Sequence, residues 1–420
     1  MSRLMKRLAA VAVTAVAVSL AVTGTTAQAD PAAGPSAERW NPGWSSAQQP
    51  PVEVDTAKWA MEGFTDQSLR QVVQPTVGGE ELRVTLSNVY GERALRITAA
   101  TVGLTEDGAD VAPDSMRSIT FKNRMSTVIP PGRELESDAV PLEIEAFESV
   151  TVTLYFSRET GPTTFHDRSD ATSYRAEGNH ATDLDGAAFA ETDESWYYLA
   201  DVAVAGETGD DAVVTFGDSI TDGNESTVDA DLRYPDVLAE LSADAGHERA
   251  VLNAGLSGNR VLTDSDYMGE RAGARFDRDV LDKPGVDTVV ILEGVNDIGF
   301  SDVEDDPRFE PNPEVTAEQI IEGLQELVDR AHDADLRVVG GTLLPYKGAF
   351  YYTERGEKVR GEVNDWIRES GEFDAVVEFD RLMASDSDPL VLNPEYDSGD
   401  KLHPGDAGYR AMAEAVLPHV

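Results

Sequence analysis

Residues 212–221, which read AVVTFGDSIT, decide the fold of the second half of this chain. The first five are apolar or β-branched, a composition typical of a strand buried on both faces of a parallel sheet. Gly217 and Asp218 end the strand, and Ser219 follows at the turn. We therefore predict a strand–turn–helix unit that presents a serine hydroxyl at the carboxyl end of a core strand.

The rest of this half alternates between apolar runs and helix-like stretches. The further apolar runs cover 250–253, 288–292, 338–344 and 375–379, and the helix-like stretches cover 234–244, 316–335, 359–369 and 406–417. This alternation predicts an α/β fold, a three-layer α/β/α domain with about five parallel strands. In such sheets ligands bind beyond the carboxyl ends of the strands.

The first half has a different pattern. Short segments of period-two alternation, such as residues 69–74, 82–87 and 150–156, are separated by Gly, Pro and Asp. This pattern is typical of an antiparallel β-sandwich. We predict a β-sandwich accessory domain over 40–205 and an α/β domain over 206–420, with a polar, Gly-rich boundary at 206–211.

The N-terminus has the features of a secretory signal peptide. A basic start precedes an apolar run over 8–22, and the small-residue sequence AQA at 27–29 resembles a cleavage site. We interpret 1–29 as a signal peptide and 30–39 as a flexible leader, and no second apolar stretch is long enough to span a bilayer. The expected location of the mature protein is therefore extracellular.

Composition excludes several kinds of partner and site. The 420 residues are 41% hydrophobic, contain no cysteine and carry a formal net charge of −44. The absence of cysteine excludes disulfides, a thiol nucleophile and thiolate metal ligands. The negative charge opposes binding to nucleic acid and stable association with anionic membranes.

No cofactor or metal is predicted. The sequence has neither a glycine-rich phosphate loop nor a dinucleotide fingerprint, so we infer no organic cofactor. The carboxylates within 302–306 are of the type that binds hard cations. Because the chain is acidic throughout and these residues lack a regular ligand spacing, we favour a solvated loop.

Reactive side chains follow the predicted strands. NAGLSGNR at 253–260 follows the second strand, EGVND at 293–297 follows the third, and DKLHP at 400–404 precedes the last helix. A serine nucleophile needs a base, and the base needs a partner that orients it. Ser219, His403 and Asp400 supply these three groups, with Asp400 placed three residues before the histidine.

Oxyanion donors can be assigned from the same blocks. The backbone amides of Ser219 and Gly258 and the side-chain amide of Asn296 supply up to three donors. Other interpretations remain for each residue taken singly: Ser219 could cap the following helix, and Gly258 and Asn296 could be turn residues. Ser257 is a rival hydroxyl, but it follows a loop rather than the first predicted strand, so we favour a packing or hydrogen-bonding role for it. The joint occurrence of Ser219, Gly258 and Asn296 with Asp400 and His403 favours catalysis.

The four blocks GDS, NxGxSG, GxND and DxxHP, in this order, resemble the SGNH (GDSL-like) hydrolase family from residue 212 to the C-terminus. The resemblance implies a flavodoxin-like α/β/α domain in which Ser219 is the nucleophile. It also implies that Asp400 and His403 complete the triad and that Gly258 and Asn296 bind the oxyanion with the Ser219 amide. Gly217, Asp218 and Asp297 are then supporting residues.

The expected function is that of a secreted serine esterase. A β-sandwich ahead of such a domain resembles some exported carbohydrate acetylesterases, and residues 293–299 and 396–404 resemble secreted actinobacterial GDSL proteins. Short acyl groups, acetyl above all, on a carbohydrate or a small alcohol are therefore the expected substrates. The alternative among enzymes is a lipase or lysophospholipase-type acylhydrolase.

A non-enzymatic alternative is a glycan-binding surface protein with an inert hydrolase-like domain. Four tryptophans in the sandwich region, Trp40, Trp44, Trp59 and Trp196, could stack on sugars. Packing in the core or between domains is the more common use of such residues, and we favour it. The sequence does not indicate an oligomeric state.

Overall fold

The computed structural model describes residues 39–53, 58–206, 211–303 and 306–420. The predicted signal peptide (1–29), all of the leader except residue 39, and most of the predicted boundary at 206–211 lie outside the described residues. Glu38–Val420 is one compact unit. It contains two hydrophobic cores, one for each half of the chain.

The N-terminal region consists of antiparallel strands. They are β1 (Trp40–Ser45), β2 (Gln67–Val73), β3 (Glu81–Asn88), β4 (Leu95–Ile97), β5 (Ala99–Asp107), β6 (Asp110–Val111), β7 (Arg117–Ser118), β8 (Thr127–Ile129), β9 (Arg133–Glu136), β10 (Val150–Phe156), β11 (Phe165–His166), β12 (Ser173–Glu177), β13 (Glu191–Asp193), β14 (Trp196–Tyr197) and β15 (Leu199–Ala205). A four-stranded sheet has the order β1-β15-β3-β9, and a seven-stranded sheet follows β13-β12-β2-β10-β5-β6 with β7 beside β5. The predicted β-sandwich is confirmed.

The second half contains a five-stranded parallel sheet. Its strands are β16 (Ala212–Gly217), β17 (Val251–Gly255), β18 (Val286–Leu292), β19 (Arg337–Gly341) and β20 (Ala375–Val377), followed by a hairpin of β21 (Ala384–Ser385) and β22 (Asp388–Leu392). The order β17-β16-β18-β19-β20 is that of a flavodoxin-like doubly wound sheet. Every residue of β16 is buried, as its apolar sequence predicted.

Eight helices belong to the described part of this half. They are α1 (Ser219–Asp222), α2 (Tyr234–Asp244), α3 (Ala272–Phe276), α4 (Val295–Phe300), α5 (Ala317–Asp333), α6 (Glu354–Glu369), α7 (Phe379–Leu382) and α8 (Asp406–Val416). A π-helical turn, Asp277–Leu281, continues α3, and short 3₁₀ turns cover Pro307–Phe309 and Leu417–His419. None of the described helices is long and apolar enough to cross a bilayer. The predicted α/β class is confirmed.

Two predicted boundaries were wrong for identifiable reasons. Helix α6 begins five residues before the predicted position 359, because Thr353 caps it by accepting from the Gly356 amide at 2.9 Å. Its first turn is polar and so shows no apolar period. Strand β19 ends at Gly341 rather than 344, because the Leu343 amide donates to the Asn364 side chain at 2.7 Å.

The sandwich packs against the edge of the parallel sheet. Strand β17 is the edge strand, and its Val251 amide donates to the Thr76 hydroxyl at 3.1 Å. Farther along, the Arg233 guanidinium donates to the Ser169 carbonyl at 2.7 Å, and Tyr90 donates to Glu270 at 2.6 Å. The Thr76 contact gives a partner to a backbone group of this edge strand, which would otherwise be left unpaired.

The sandwich tryptophans are mostly packing residues. Trp44, Trp59 and Trp196 are 8%, 2% and 5% exposed, and Trp44 meets Trp196 edge-on at 4.8 Å between ring centroids. Trp40 is partly buried beneath the Arg83 guanidinium, which lies 4.0 Å from its ring centroid. The three buried rings are therefore not available to stack on a glycan, and the packing interpretation is confirmed for them.

Candidate active site

Ser219, His403 and Asp400 form one hydrogen-bonded chain. Ser219 is the first residue of α1, and its Oγ lies 2.8 Å from the Nε2 of His403, although the two residues are 184 positions apart. The Nδ1 of His403 lies 2.6 Å from Oδ2 of Asp400. With Nδ1–H donated to the carboxylate, Nε2 is free to accept the serine proton.

The residues before Ser219 shape its turn. The N-cap of α1 is Asp218, which accepts from the Ile220 amide at 2.9 Å, so the capping role considered for Ser219 belongs to its neighbour. A Cβ at Gly217 would lie 2.3 Å from the Leu292 carbonyl oxygen, so only glycine fits there. Burial raises the pKa of Asp218 to about 7.

Asp400 is held as a carboxylate. Its Oδ1 accepts from the amides of Leu402 and His403, both at 2.8 Å, while its Oδ2 faces the imidazole. Partial burial alone would raise the pKa of Asp400, but the hydrogen bonds from His403 and Leu402 outweigh it and lower the pKa below its usual range. The group that orients His403 therefore stays charged in mildly acidic solution.

Gly258 lies in a turn that requires glycine. Its φ is +73°, and a Cβ there would lie 2.2 Å from Sδ of Met268. Within the described residues its amide has no hydrogen-bond partner, whereas the preceding Ser257 amide donates to Oδ2 of Asp222 at 3.0 Å. The turn therefore leaves one backbone donor unused next to an anchored one.

Asn296 and Asp297 join the third block to the second. Asn296 lies on α4, donates to the Asn259 carbonyl at 3.1 Å and accepts from the Tyr351 hydroxyl at 3.3 Å. Asp297 accepts from the amides of Val261 and Leu262 at 2.7 and 2.9 Å. Burial raises the pKa of Asp297 to about 6, against the effect of these two amides. Asp297 thus secures the loop that follows Gly258.

Sequence reasoning missed Arg275, which is fully buried beneath the site. Its guanidinium donates to the carbonyls of Gly217 and Ala254 and to the Asn259 side chain, each at 2.8 Å. One cation thereby joins the ends of β16 and β17 to the Gly258 loop. Nothing in the linear sequence distinguishes this arginine from the many arginines at the surface.

Glu293 is a second buried group that was missed. In the described part of the chain both carboxyl oxygens lack a hydrogen-bond partner, and Oε2 is 3.8 Å from the nearest nitrogen of Arg275. Burial and the nearby Asp218 raise its pKa well above the ordinary value. Its place directly after β18 was visible in the sequence, but its burial was not.

Ser257 and the acidic stretch at 302–306 have local partners. Ser257 Oγ accepts from Asn224 at 2.6 Å, in agreement with the hydrogen-bonding role favoured for it. Asp302 accepts from Thr353 and Arg355, while residues 304 and 305 lie outside the described residues. Among the residues that are described, no cluster of His, Asp and Glu is suited to hold a metal ion.

Comparison with known proteins identifies one family. A model of the GDSL-like Lipase/Acylhydrolase family matches residues 215–411. No curated protein matches the chain. Three similar solved structures each align with 50% of this chain. A GDSL-like lipase from Bacteroides thetaiotaomicron is 19% identical, with 87% of its length aligned and a TM-score of 0.37, and a lipase/acylhydrolase from Enterococcus faecalis is 20% identical, with 94% of its length aligned and a TM-score of 0.38. A mutant of an acetyl-xylooligosaccharide esterase from Geobacillus Stearmophilus is 24% identical, with 94% of its length aligned and a TM-score of 0.38.

Proposed function

This chain belongs, through residues 215–411, to the GDSL-like lipase/acylhydrolase family, and on that premise we propose that it is a serine esterase acting through an acyl-enzyme. One observation carries the proposal: the unbroken hydrogen-bonded chain from Ser219 through His403 to Asp400. A hydroxyl, an imidazole and a carboxylate in this geometry are the parts of a nucleophilic acyl-transfer site.

In the proposed mechanism Ser219 Oγ attacks the ester carbonyl while Nε2 of His403 takes its proton. The carbonyl π electrons move onto oxygen, and the amides of Ser219 and Gly258 and the side chain of Asn296 bind this oxyanion. The C–O bond to the alcohol then breaks, and His403 returns the proton to the leaving oxygen. Water, deprotonated by the same imidazole, hydrolyses the acyl-enzyme.

We further propose that the enzyme is secreted and removes short acyl groups, acetyl above all, from carbohydrates or small alcohols. The acidic composition supports a soluble substrate, because a net charge of −44 opposes approach to anionic membranes. The signal-peptide pattern at 1–29 supports export. The relation to actinobacterial proteins stays a prediction from the sequence.

A chain-length series tests the substrate class. Turnover of p-nitrophenyl acetate is expected to exceed that of the octanoate and palmitate esters, and acetylated xylan is expected to release acetate. Buffer alone provides the blank for spontaneous hydrolysis of both substrates, and Ser219→Ala provides the control for turnover that does not use the proposed nucleophile. A steep preference for long chains, with no acetate released from the polysaccharide, would instead support the lipase alternative.

Asn296→Ala is expected to lower kcat about 10²–10³-fold with a small change in KM, because one oxyanion donor is lost while the triad remains. Measurement of kcat and KM on p-nitrophenyl acetate checks this result. The exposed Asn179, in the loop after β12, provides a matched control, since Asn179→Ala removes the same side chain outside the proposed oxyanion site. An unchanged kcat in Asn296→Ala would remove Asn296 from the proposed oxyanion site.

A further inference from the structure

His166 connects the β-sandwich to the helix that carries Ser219. It is the last residue of β11 and is only 2% exposed. Its Nδ1 lies 2.7 Å from the Ala47 carbonyl oxygen, its Nε2 lies 3.0 Å from Oδ1 of Asp222, and its ring stacks on Trp196 at 5.4 Å between centroids. Asp222 is the last residue of α1. The mechanism above uses neither member of this buried pair.

The other side of Asp222 holds the turn that carries Gly258. Its Oδ2 accepts from the Ser257 amide at 3.0 Å, and its backbone carbonyl accepts from Asn253 at 3.1 Å. The amide of Ser257 immediately precedes the unpartnered amide of Gly258. A shift of the Asp222 carboxylate would therefore move the peptide that aims the oxyanion donor.

The hydrogen-bond geometry fixes the number of protons. The Ala47 carbonyl can only accept, so Nδ1 of His166 must carry a proton. Asp222 Oδ2 already accepts from Ser257, and Oδ1 faces Nε2 across 3.0 Å. One further proton must lie between Nε2 and Oδ1, because two lone pairs would otherwise face each other. The two side chains together therefore hold two protons, which is the count of an imidazolium paired with a carboxylate.

We propose that His166 is a positioning residue for the ester hydrolysis inferred above, and the proposal rests on that function. By donating to Asp222 it fixes the Ser257 amide, and with it the direction of the Gly258 amide toward the oxyanion. The β-sandwich thereby contributes to the catalytic unit: the oxyanion site is complete only when the sandwich is docked on α1. A sandwich that served merely as a separate binding module would not need this buried contact.

The surrounding charges favour the protonated ring. Besides Asp222, the charged groups near His166 are Asp167 beside it in the chain, Asp170 near Asp222, and Arg233 and Asp236 across the same buried cleft. Three of these four additional groups are carboxyls, although burial raises the pKa of Asp170 to about 7, so it carries a full charge only above neutral pH. Arg233 is already paired with Asp236 and with Asp231, each at 2.5 Å. The local balance is therefore negative.

The direction of the pH dependence follows from these charges. Burial alone would lower the pKa of His166, but Asp222 and the Ala47 carbonyl outweigh it and raise the pKa above its ordinary value of about 6.5. The interaction is therefore fully present below about pH 6.5 and is lost as the pH rises through the raised pKa. We expect an alkaline decline of kcat that reports on His166.

Two substitutions at His166 separate its two hydrogen bonds. His166→Asn keeps a donor near the Nδ1 position for Ala47 but does not reach Asp222, whereas His166→Gln keeps a donor near the Nε2 position. We expect His166→Asn to lower kcat about 10–100-fold with nearly unchanged KM, and His166→Gln to recover most of this loss. Rates are expressed per active site titrated with a fluorophosphonate, with Tm as the measure of folding.

Asp222→Asn tests the pH dependence of kcat, which a purely structural role of His166 would not change. The asparagine oxygen can accept from Ser257, and its NH₂ can donate to a neutral His166, so both contacts survive without a charge. We expect substantial kcat at neutral pH and loss of the alkaline decline. If His166→Asn fails to fold, the pH profile of Asp222→Asn decides whether the charged pair positions the site.

Two results would overturn the inference. One is wild-type kcat in folded His166→Asn, and the other is an unchanged alkaline decline in Asp222→Asn. Either result with an inactive Ser219→Ala removes only the role of His166. Retained turnover in Ser219→Ala would instead remove the proposed function itself.

Discussion

Ser219→Ala is expected to lower ester turnover about 10⁶-fold and to abolish the acyl-enzyme. The only hydrogen-bond partner of His403 Nε2 in the described residues is Ser219 Oγ, at 2.8 Å. Removal of that hydroxyl leaves the base without a nucleophile to deprotonate. The oxyanion donors remain in this variant, so a small residual rate above that of water is expected.

Burst kinetics with p-nitrophenyl acetate and mass detection of the acylated protein measure this loss. Ser387→Ala, in the exposed turn between β21 and β22, serves as the matched serine control and should keep wild-type kinetics. Ser257→Ala tests the rival hydroxyl and should still form an acyl-enzyme on Ser219. Wild-type turnover in Ser219→Ala would refute the nucleophile assignment.

His403→Ala is expected to cause a loss of similar size, about 10⁶-fold in kcat. A neutral serine hydroxyl is a weak nucleophile, and the imidazole at 2.8 Å is the one base within hydrogen-bond reach of it among the described residues. Asp400 cannot take over this role, because its lowered pKa makes it a poor base and His403 separates it from Ser219.

The rate of labelling of Ser219 by a fluorophosphonate measures this effect independently of ester turnover. It should fall strongly in His403→Ala, although the hydroxyl is intact. The exposed His247 provides the control, since His247→Ala removes an imidazole from the loop after α2. A labelling rate equal to that of the wild type would show that another group activates the serine.

The fold was largely predictable because its parallel strands are buried on both faces. An apolar run such as 212–216 identifies such a strand without further information, and observed β16 extends it by a single residue. Predictions failed where apolar residues do not recur at the spacing of a helix or a strand. The polar first turn of α6 was missed, as was α4, whose six residues include Gly299. Short segments of this kind are stabilised by their tertiary contacts.

The candidate site was only partly predictable from sequence. Ser219, Gly258, Asn296, Asp400 and His403 were predicted because each follows a strand or precedes a helix in a recognisable block. Arg275 and Glu293 were missed because nothing in their neighbours along the chain distinguishes them. Their importance arises from complete burial, which depends on how α3 and β18 pack beneath the turn at Gly217.

The sequence by itself determined the contacts that span few residues. Asp400 and His403 are three positions apart, so a single turn can join them, and the order of the strands places the reactive blocks at one sheet edge. Only the tertiary structure decided the contacts between distant elements. His166 meets Asp222 across 56 positions, because β11 of the sandwich docks on α1. No local pattern encodes such a contact, since it depends on how two elements far apart in the chain pack together.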